Sequence, residues 1–384
     1  MSGIVKLKNQ IQHYEWGSTE KIPRFLGRDN PKGLPWAEMW MGTHEIAPSQ
    51  VQLETGGYID LSEYYGEPLS FLFKLIAAST PLSIQAHPNL AQAVEGFNQE
   101  NAAGLPIDSP KRNYKDSNHK PEVLCAISPF TLMAGFREPM QIENHLEAFL
   151  AVAPKLKETL LPLVRAVDSP YPSDSLLKFF SVLFNTSKQD REKICAFITE
   201  NETCEAFTDD QWNQMRSFAA QYPADAAVIS PLYLNLFTLQ PGQAIFIPAG
   251  VLHAYINGFG AELMSNSDNV LRGGLTPKYV DIPELMEILR FKPFMPEIIT
   301  PLSSAYFRYP TPSREFVLSF IHNEGEDYKF IEKKPAICLV TKGELKTGKT
   351  VFKKGESFFV PKTAEDSTPP VFSGNYSFFA ASSV

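Results

Sequence analysis

Apolar and polar positions alternate with two different periods along this chain, one typical of strands and one of helices, and the period changes twice. Short apolar runs separated by turn residues fill residues 1–80 and 301–384, a pattern typical of β-strands joined by polar loops. Across residues 138–230 the apolar side chains recur instead at helical spacing, as at Ile142 and Leu146. Prolines break this central stretch into several segments. We therefore predict a mainly β protein with an inserted α-helical domain.

The strand pattern resumes after the helical stretch and carries a histidine at a marked position. The apolar run Ala244–Ile247 is followed by the turn sequence Pro248-Ala-Gly250, and His253 stands just inside the predicted returning strand. A single histidine in a strand is more often a core residue than a ligand, so the simplest interpretation is a β-hairpin with a buried imidazole. A metal ligand is favoured because several positions around that histidine are fixed together, in the spacing Gly242-x5-Pro248-x-Gly250-x2-His253-x3-Asn257.

Two upstream segments offer the further ligands that such a site requires, because a catalytic zinc takes three or more N, O or S ligands. In the first, Gln85 and His87 alternate with apolar residues, and residues two apart on a strand point to the same face. The second segment ends in the carboxylate of Glu122, directly before an apolar strand. Together with His253, these side chains predict a metal held by two imidazoles, one carboxylate and one amide oxygen.

Composition and charge argue against some classes of function but do not identify one. The chain has 384 residues and a formal net charge of −8, which argues against the basic face that nucleic-acid binding requires. Neither a signal-peptide core nor an uncharged apolar run of membrane-spanning length stands out. Because the cysteines are scattered without C-x-x-C spacing, we expect free thiols in a reducing compartment. We expect a cytoplasmic monomer that binds a small molecule, with no nucleic-acid or membrane partner.

The candidate ligands stand within longer motifs that resemble those of a known family. The spacing around His253 matches the second motif of the cupins. Further segments are similar, in order and separation, to those of type I phosphomannose isomerases, and the resemblance covers nearly the whole chain: Ser83–Asn89, Asn118–Glu122, His253–Tyr255 and Asp268–Lys278. It implies cupin-type β-barrels of jelly-roll form. It also implies one Zn²⁺ per chain, with four ligands: Gln85, His87, Glu122 and His253.

A reaction and a set of residue roles are implied by the same resemblance. The reaction is the interconversion of mannose 6-phosphate and fructose 6-phosphate through a cis-enediol, with Arg272 and the metal stabilising the enediolate oxygens. Glu262 and Lys120 are the two candidates for the base that moves the proton, and the sequence leaves the choice open. The residues expected to contact the substrate are Trp16, Glu38, Ser83, Tyr255 and Lys278.

The expected domain organisation combines the two periods with the motifs. Residues 1–137 and 231–300 are predicted to form the catalytic cupin domain with its zinc site, and residues 138–230 the inserted helical domain. Residues 301–384 are predicted to form a second, cupin-like β domain. Within it, Gly355–Pro361 repeats the Gly-x5-Pro spacing of the first barrel, but no histidine follows. We therefore expect the second barrel to lack a metal.

Two other functions fit the same ligand types. Two histidines and one carboxylate with open positions also describe non-haem Fe(II) oxygenases. A cupin that binds a sugar phosphate without turnover is a different class of alternative. The amide ligand Gln85 and the basic residues favour a phosphorylated sugar over the oxygenase chemistry, and Arg272 and Lys278 beside the metal argue against a protein that only stores or binds its ligand.

Overall fold

The first part of the chain is built from short strands with three helices between them. The computed structural model describes residues 3–53, 55–302, 305–362 and 368–384. The elements before residue 138 are β1 (Val5–Lys8), β2 (Gln10–Gln12), α1 (Lys21–Leu26), β3 (Glu38–Gly42), β4 (Gln50–Gln52), β5 (Tyr58–Asp60), α2 (Leu61–Tyr65), β6 (Phe71–Ala78), β7 (Gln85–Ala86), α3 (Leu90–Ala102), β8 (Glu122–Ala126) and β9 (Phe130–Phe136).

Helices follow without a strand until residue 234. Prolines open two of them, α4 and α6, where the missing N–H costs no hydrogen bond. Large aromatic side chains such as Phe149, Phe180 and Trp212 form the shared core of this region. The elements are α4 (Pro139–Val152), a 3-10 turn (Pro154–Leu156), α5 (Lys157–Val167), α6 (Pro172–Asn185), α7 (Lys188–Glu200), α8 (Asp209–Gln221), a second 3-10 turn (Ala226–Ile229) and α9 (Ser230–Tyr233).

Strands dominate again from residue 234 to the end of the chain. They are β10 (Leu234–Leu239), β11 (Ala244–Ile247), β12 (His253–Ser265), β13 (Leu271–Arg272), β14 (Tyr306–Arg308), β15 (Val317–Glu324), β16 (Tyr328–Lys329), β17 (Ala336–Thr347), β18 (Thr350–Lys353), β19 (Ser357–Val360), β20 (Val371–Phe372) and β21 (Asn375–Ser382), with helix α10 (Ile282–Ile288) after β13. The predicted fold class, mainly β with a helical insertion, is confirmed. No helix within the described ranges is long and apolar enough to cross a membrane.

Strand β12 organises the sheet that carries the predicted ligands. It pairs antiparallel with β6, β7, β8 and β9 along its length of 13 residues. The expected hairpin of β11 and β12 is wrong, because both strands pair with β8, which lies between them. The turn does not close a hairpin; its Gly250 N–H donates instead to the carbonyl of His87 at 2.8 Å. The turn thus ties β12 to the segment after β7.

A second sheet joins the two ends of the chain. Its strand order is β14-β15-β21-β17-β19-β1-β4-β5, so the N-terminal strands extend the sheet of the C-terminal region. Strand β6 packs against this sheet with alternate residues, because Phe73 and Leu75 belong to the same buried cluster as Ile337 and Phe379. The residues between them, including Lys74, therefore face the opposite side of β6. The division into three domains stays a prediction, and one of its boundaries crosses this sheet.

Candidate metal centre and the cavity beside it

Three buried side chains converge at the ends of neighbouring strands. His87 follows β7, Glu122 opens β8 and His253 opens β12, and each is at most 2% exposed. Their ligand atoms, one from each residue, lie within 4.8 Å of one another. Gln85 is the direct cross-strand partner of His253, so the two side chains share a face, and Gln85 Nε2 lies 3.4 Å from His253 Nε2. The four predicted ligands therefore stand together.

The Nδ1 hydrogen bonds of the two imidazoles turn their Nε2 atoms toward the carboxylate of Glu122. Nδ1 of His87 lies 2.7 Å from the carbonyl of Asn269, and Nδ1 of His253 lies 3.0 Å from that of Val251. A carbonyl only accepts, so each Nδ1 carries the proton and each Nε2 presents its lone pair, the usual arrangement of metal-binding histidines. Both Nε2 atoms lie 3.3 Å from a carboxylate oxygen of Glu122. Bonds of about 2.0–2.1 Å at tetrahedral angles separate two zinc ligands by about 3.3 Å.

Burial and the neighbouring lysine set the charge of this cluster. Burial raises the pKa of Glu122, but Lys120 and the two histidines outweigh it and hold that pKa well below its ordinary value. Lys120 Nζ lies 3.0 Å from Glu122 Oε1. Burial and the charge of Lys120 lower the pKa of His87 to about 4, so its ring is neutral at pH 7. His87 Nε2 and Glu122 Oε2 have no hydrogen-bond partner among the described residues. The neutral His87 ring, the imidazole of His253, an ionised carboxylate and a nearby amide fit Zn²⁺.

A cavity of about 820 Å³ lies beside the cluster. It is wide enough for a small phosphorylated sugar, since ligand sites typically enclose about 300–1,000 Å³. Its walls carry most of the residues singled out in the sequence: Trp16, Glu38, Ser83, Gln85, Lys120, Glu122, Tyr255, Glu262, Arg272 and Lys278. His87 and His253 complete the cluster at its edge. The structure thus brings every predicted site residue to one place, and the individual roles stay predictions.

One wall of the cavity holds a buried acid–base network. Lys74, Glu262 and Trp40 occupy directly opposed positions on three adjacent strands and share a face. Lys74 Nζ lies 3.6 Å from Glu262 Oε2 and 3.7 Å from Glu38 Oε2. The Tyr255 hydroxyl donates to Glu262 at 2.8 Å. Burial and the charge of Glu122 raise the pKa of Glu262, against the opposing effect of Lys74.

Cations without carboxylate partners line another part of the cavity. Arg272, Lys278 and Lys115 all contribute to the wall. Burial lowers the pKa of Lys278, and the positive charges of Arg272 and Lys115 lower it further. Within the described ranges, none of the three forms an ion pair with an acidic side chain within 4.0 Å. Mutually repelling cations in a cavity create a positive potential that attracts an anion.

The sequence reasoning missed several residues of this cavity. Lys74, Trp40, Tyr14 and Asp268 line it but were not predicted as site residues. Lys74 gave a detectable signal, because a charge interrupts an otherwise apolar, fully buried strand. Asp268 lies within a predicted motif, and its carboxylate Oδ2 is 3.3 Å from Nε2 of the buried His44. Burial, followed by the charge of Glu38, raises the pKa of Tyr14 to about 12.

Comparisons with known proteins give one consistent answer. Residues 4–139 match the family model of the type I phosphomannose isomerase catalytic domain. The mannose-6-phosphate isomerase of Escherichia coli (strain K12) is 35% identical over 378 residues, which cover 92% of this chain and 94% of that protein. The mannose-6-phosphate isomerase of Homo sapiens is 32% identical over 326 residues, which cover 76% of this chain and 74% of that protein.

Solved structures extend the likeness to the fold. The mannose 6-phosphate isomerase of Salmonella typhimurium, in a crystal structure with fructose 6-phosphate and zinc, superposes with a TM-score of 0.86 at 33% identity over 100% of both chains. A zinc-bound holo mannose 6-phosphate isomerase gives the same TM-score, identity and coverage. This similarity spans the strands, the helical region and the C-terminal β region together.

Proposed function

Since the chain belongs to the type I mannose-6-phosphate isomerase family, we propose that Gln85, His87, Glu122 and His253 hold its zinc ion and that the adjacent cavity binds its substrate. The enzyme is an aldose–ketose isomerase that interconverts mannose 6-phosphate and fructose 6-phosphate, and its cofactor is zinc. The observation that supports the site most strongly is the buried cluster of three ligand atoms beside the large cavity. When bound, zinc supplies a Lewis acid that polarises a carbonyl oxygen.

The phosphate binds among the unpaired cations. Lys278 and Lys115 offer ammonium groups, which bind phosphate oxygens as point charges. Binding there leaves the reacting end of the sugar free to extend along the cavity toward the histidine cluster. A phosphate also relieves the repulsion between Arg272 and the two lysines, which gives affinity for the phosphorylated sugar over the free one.

Arg272 stabilises the charge that appears during the reaction. It lies directly opposite Gln85 across the β7–β13 pairing, so its side chain projects on the same face as the amide ligand. Its guanidinium is placed to donate hydrogen bonds to the oxygens of the enediolate, which carry full negative charge only after the proton has left the carbon. Such differential stabilisation accelerates the chemical step and not merely binding.

Glu262 is the better supported of the two candidate bases. Isomerisation requires that a proton leave C2 of the aldose while the C2–H electrons form a C1–C2 double bond and the C1=O π electrons move onto O1. The O2 proton is then transferred to O1. As the O2 electrons form the C2 carbonyl, the C1–C2 π electrons take up a proton at C1. Burial and Glu122 raise the pKa of Glu262 toward the operating pH, which suits a group that both accepts and returns a proton. Tyr255 and Lys74 hold the carboxylate in place. Lys120, in contrast, is held in an ion pair with Glu122 at 3.0 Å.

A monomer in the cytoplasm completes the proposal. All four cysteines are free thiols in the structure, which fits a reducing compartment. Size-exclusion chromatography with light scattering tests the monomer, and cell fractionation tests the location.

A coupled assay of mannose 6-phosphate conversion tests the function as a whole. It compares the purified enzyme before chelation, after chelation and after zinc is restored, in the presence and absence of O₂. The proposal predicts activity that is lost on chelation, restored by zinc and independent of O₂. Unchanged activity in the fully zinc-depleted protein would show that the cluster does not hold the catalytic metal.

A further inference from the structure

The loop that follows Arg272 has an unfavourable backbone conformation at one residue. Leu275 has a φ of +52°, and it is the one non-glycine residue with positive φ that the described ranges contain. A bulky side chain disfavours this left-handed conformation, so surrounding contacts must impose it. Leu275 is also buried, at 1% exposure, and cannot relax into solvent. Something in the structure therefore holds this loop against its local preference.

The group that holds it is a carboxylate from the helical region. Asp225 precedes the 3-10 turn Ala226–Ile229, and its Oδ2 accepts the Leu275 N–H at 2.8 Å. Its other oxygen, Oδ1, accepts the Ala227 N–H at 2.8 Å. One side chain therefore bonds to backbone on both sides of the junction between the helical region and the loop.

The contact between Asp225 and the loop after Arg272 is sterically tight, and it keeps a carboxylate away from water. A Cβ placed on Gly274 would lie 2.4 Å from the Cβ of Ala227 and 2.9 Å from Asp225 Oδ1. The two segments thus touch, and only glycine fits between them. Burial raises the pKa of Asp225 despite its backbone hydrogen bonds, so the protein maintains a desolvated carboxylate there.

The same loop is connected to the catalytic sheet on its other side. The N–H of Gly273 donates to the carbonyl of Ile84 at 2.7 Å, and the N–H of Ile84 donates to the carbonyl of Gly274 at 3.0 Å. The next residues in register are Gln85 and Arg272, which pair directly. Displacement of the loop at Leu275 would therefore be transmitted to Arg272, three residues away along the chain.

We propose that Asp225 is a positioning residue, which clamps the loop at Leu275 and thereby aims Arg272 into the cavity. The inference rests on the proposed function of Arg272. If Asp225 acts in this way, the helical region contributes to the reaction through one carboxylate, although none of the predicted metal ligands belongs to that region. The competing role is simple capping of the 3-10 turn, for which the bond to Ala227 would suffice.

The first test measures kcat, KM and zinc content of Asp225→Ala. A misplacement on the order of 1 Å can cost about a hundredfold in rate, so we expect kcat to fall about ten- to a hundredfold. KM should change less than about threefold and zinc should stay at one per chain. Asp210→Ala, an exposed aspartate of the same region, is the matched control and should behave like the wild type. If Asp225→Ala fails to fold, Asp225→Asn serves instead, because the amide turns a donor toward one of the two backbone N–H groups. Wild-type kcat in the variant would overturn the proposal.

The second test asks whether the loss passes through Arg272. In Arg272→Ala, the further change Asp225→Ala should lower kcat by less than about threefold, because the group being aimed is already absent. Multiplied losses would show that Asp225 acts elsewhere. If Arg272→Ala alone leaves kcat unchanged, the proposed role of Arg272 fails. The two Leu275 variants then still decide whether Asp225 clamps the loop.

Two variants at Leu275 isolate the backbone conformation. Leu275→Ala and Leu275→Gly both delete the buried side chain, but only glycine adopts positive φ without penalty. If Asp225 enforces the left-handed conformation, Asp225→Ala should be damaging in the alanine background and nearly silent in the glycine background. The loss is read as kcat or, independently of catalysis, as proteolytic cleavage of the loop. Equal effects in both backgrounds would refute the clamp.

Discussion

Replacing Lys74 with methionine tests the buried network most severely. The side chain is about as long as methionine and almost fully enclosed, so the change removes the charge with little change in volume. Its ammonium lies 3.6 Å from Glu262 and 3.7 Å from Glu38. At an effective dielectric constant of about 20, each attraction is on the order of 4–5 kcal/mol before desolvation is subtracted.

The net loss is smaller than the sum of these attractions. Removal of one partner from a buried pair typically costs about 3–5 kcal/mol, because the remaining charge is left without compensation. Burial alone would lower the pKa of Lys74, but the two carboxylates outweigh it and raise that pKa, so the lysine is charged in the native protein. We expect Lys74→Met to lose about 3–5 kcal/mol of unfolding free energy. Loss of the Lys74 charge should also raise the pKa of Glu262 further. This rise should lower kcat near neutral pH, because less of the base is ionised.

Urea unfolding of the metal-free protein measures the first effect. The control is the double variant Lys74→Met/Glu262→Gln, which removes a cation and an anion together and should recover at least about half of the lost stability. A single variant within about 1 kcal/mol of the wild type would refute the reasoning, because the network would then be solvated or uncharged.

Three further results are expected. Arg272→Ala should lower kcat about 10²–10³-fold with zinc retained, as for the loss of one transition-state donor, whereas loss of zinc measured by atomic emission would make its role structural. Lys278→Gln should raise KM about tenfold or more, the equivalent of one charge-assisted hydrogen bond, with kcat little changed in the steady-state assay. Burial raises the pKa of Glu315, but hydrogen bonds from Ser313 and His119 outweigh it and the net shift is downward. A carboxyl group with a lowered pKa stabilises the folded protein at pH values above its ordinary pKa of 4.5, and this stabilisation is lost as the pH falls. Glu315→Gln should therefore cost about 1 kcal/mol of unfolding free energy in urea at pH 7 and progressively less below pH 4.5.

The metal ligands were accessible to sequence reasoning because their information is local. Alternation in a strand places Gln85 and His87 on one face, and the fixed spacing after Gly242 singles out His253. The short segment ending at Glu122 precedes an apolar strand, which indicates a side chain at the start of that strand. Each inference needs only a few neighbouring residues, and family resemblance then joins them.

Strand pairing was less accessible because it is decided by distant parts of the chain. The turn after β11 predicted a hairpin, yet β8 lies between β11 and β12. Likewise, nothing near β1 indicates that it pairs with β19, more than 300 residues away. Lys74 stood out as a charge in an apolar run, but only the alternation of β6 between two packed faces shows that it faces the cavity. Asp225 gave no local signal of its contact with the loop, since the Leu275 N–H that it accepts lies 50 residues further on.

A zinc titration of the metal-free enzyme tests the central claim most directly. Isomerase rate and bound zinc are measured in the same samples for the wild type and for His253→Ala. The account predicts that the wild-type rate rises linearly with zinc and stops at one ion per chain, whereas His253→Ala neither retains zinc through gel filtration nor gains activity. Full activity of the histidine variant at the same zinc occupancy would contradict it, because the catalytic metal would then lie outside the cluster of Gln85, His87, Glu122 and His253.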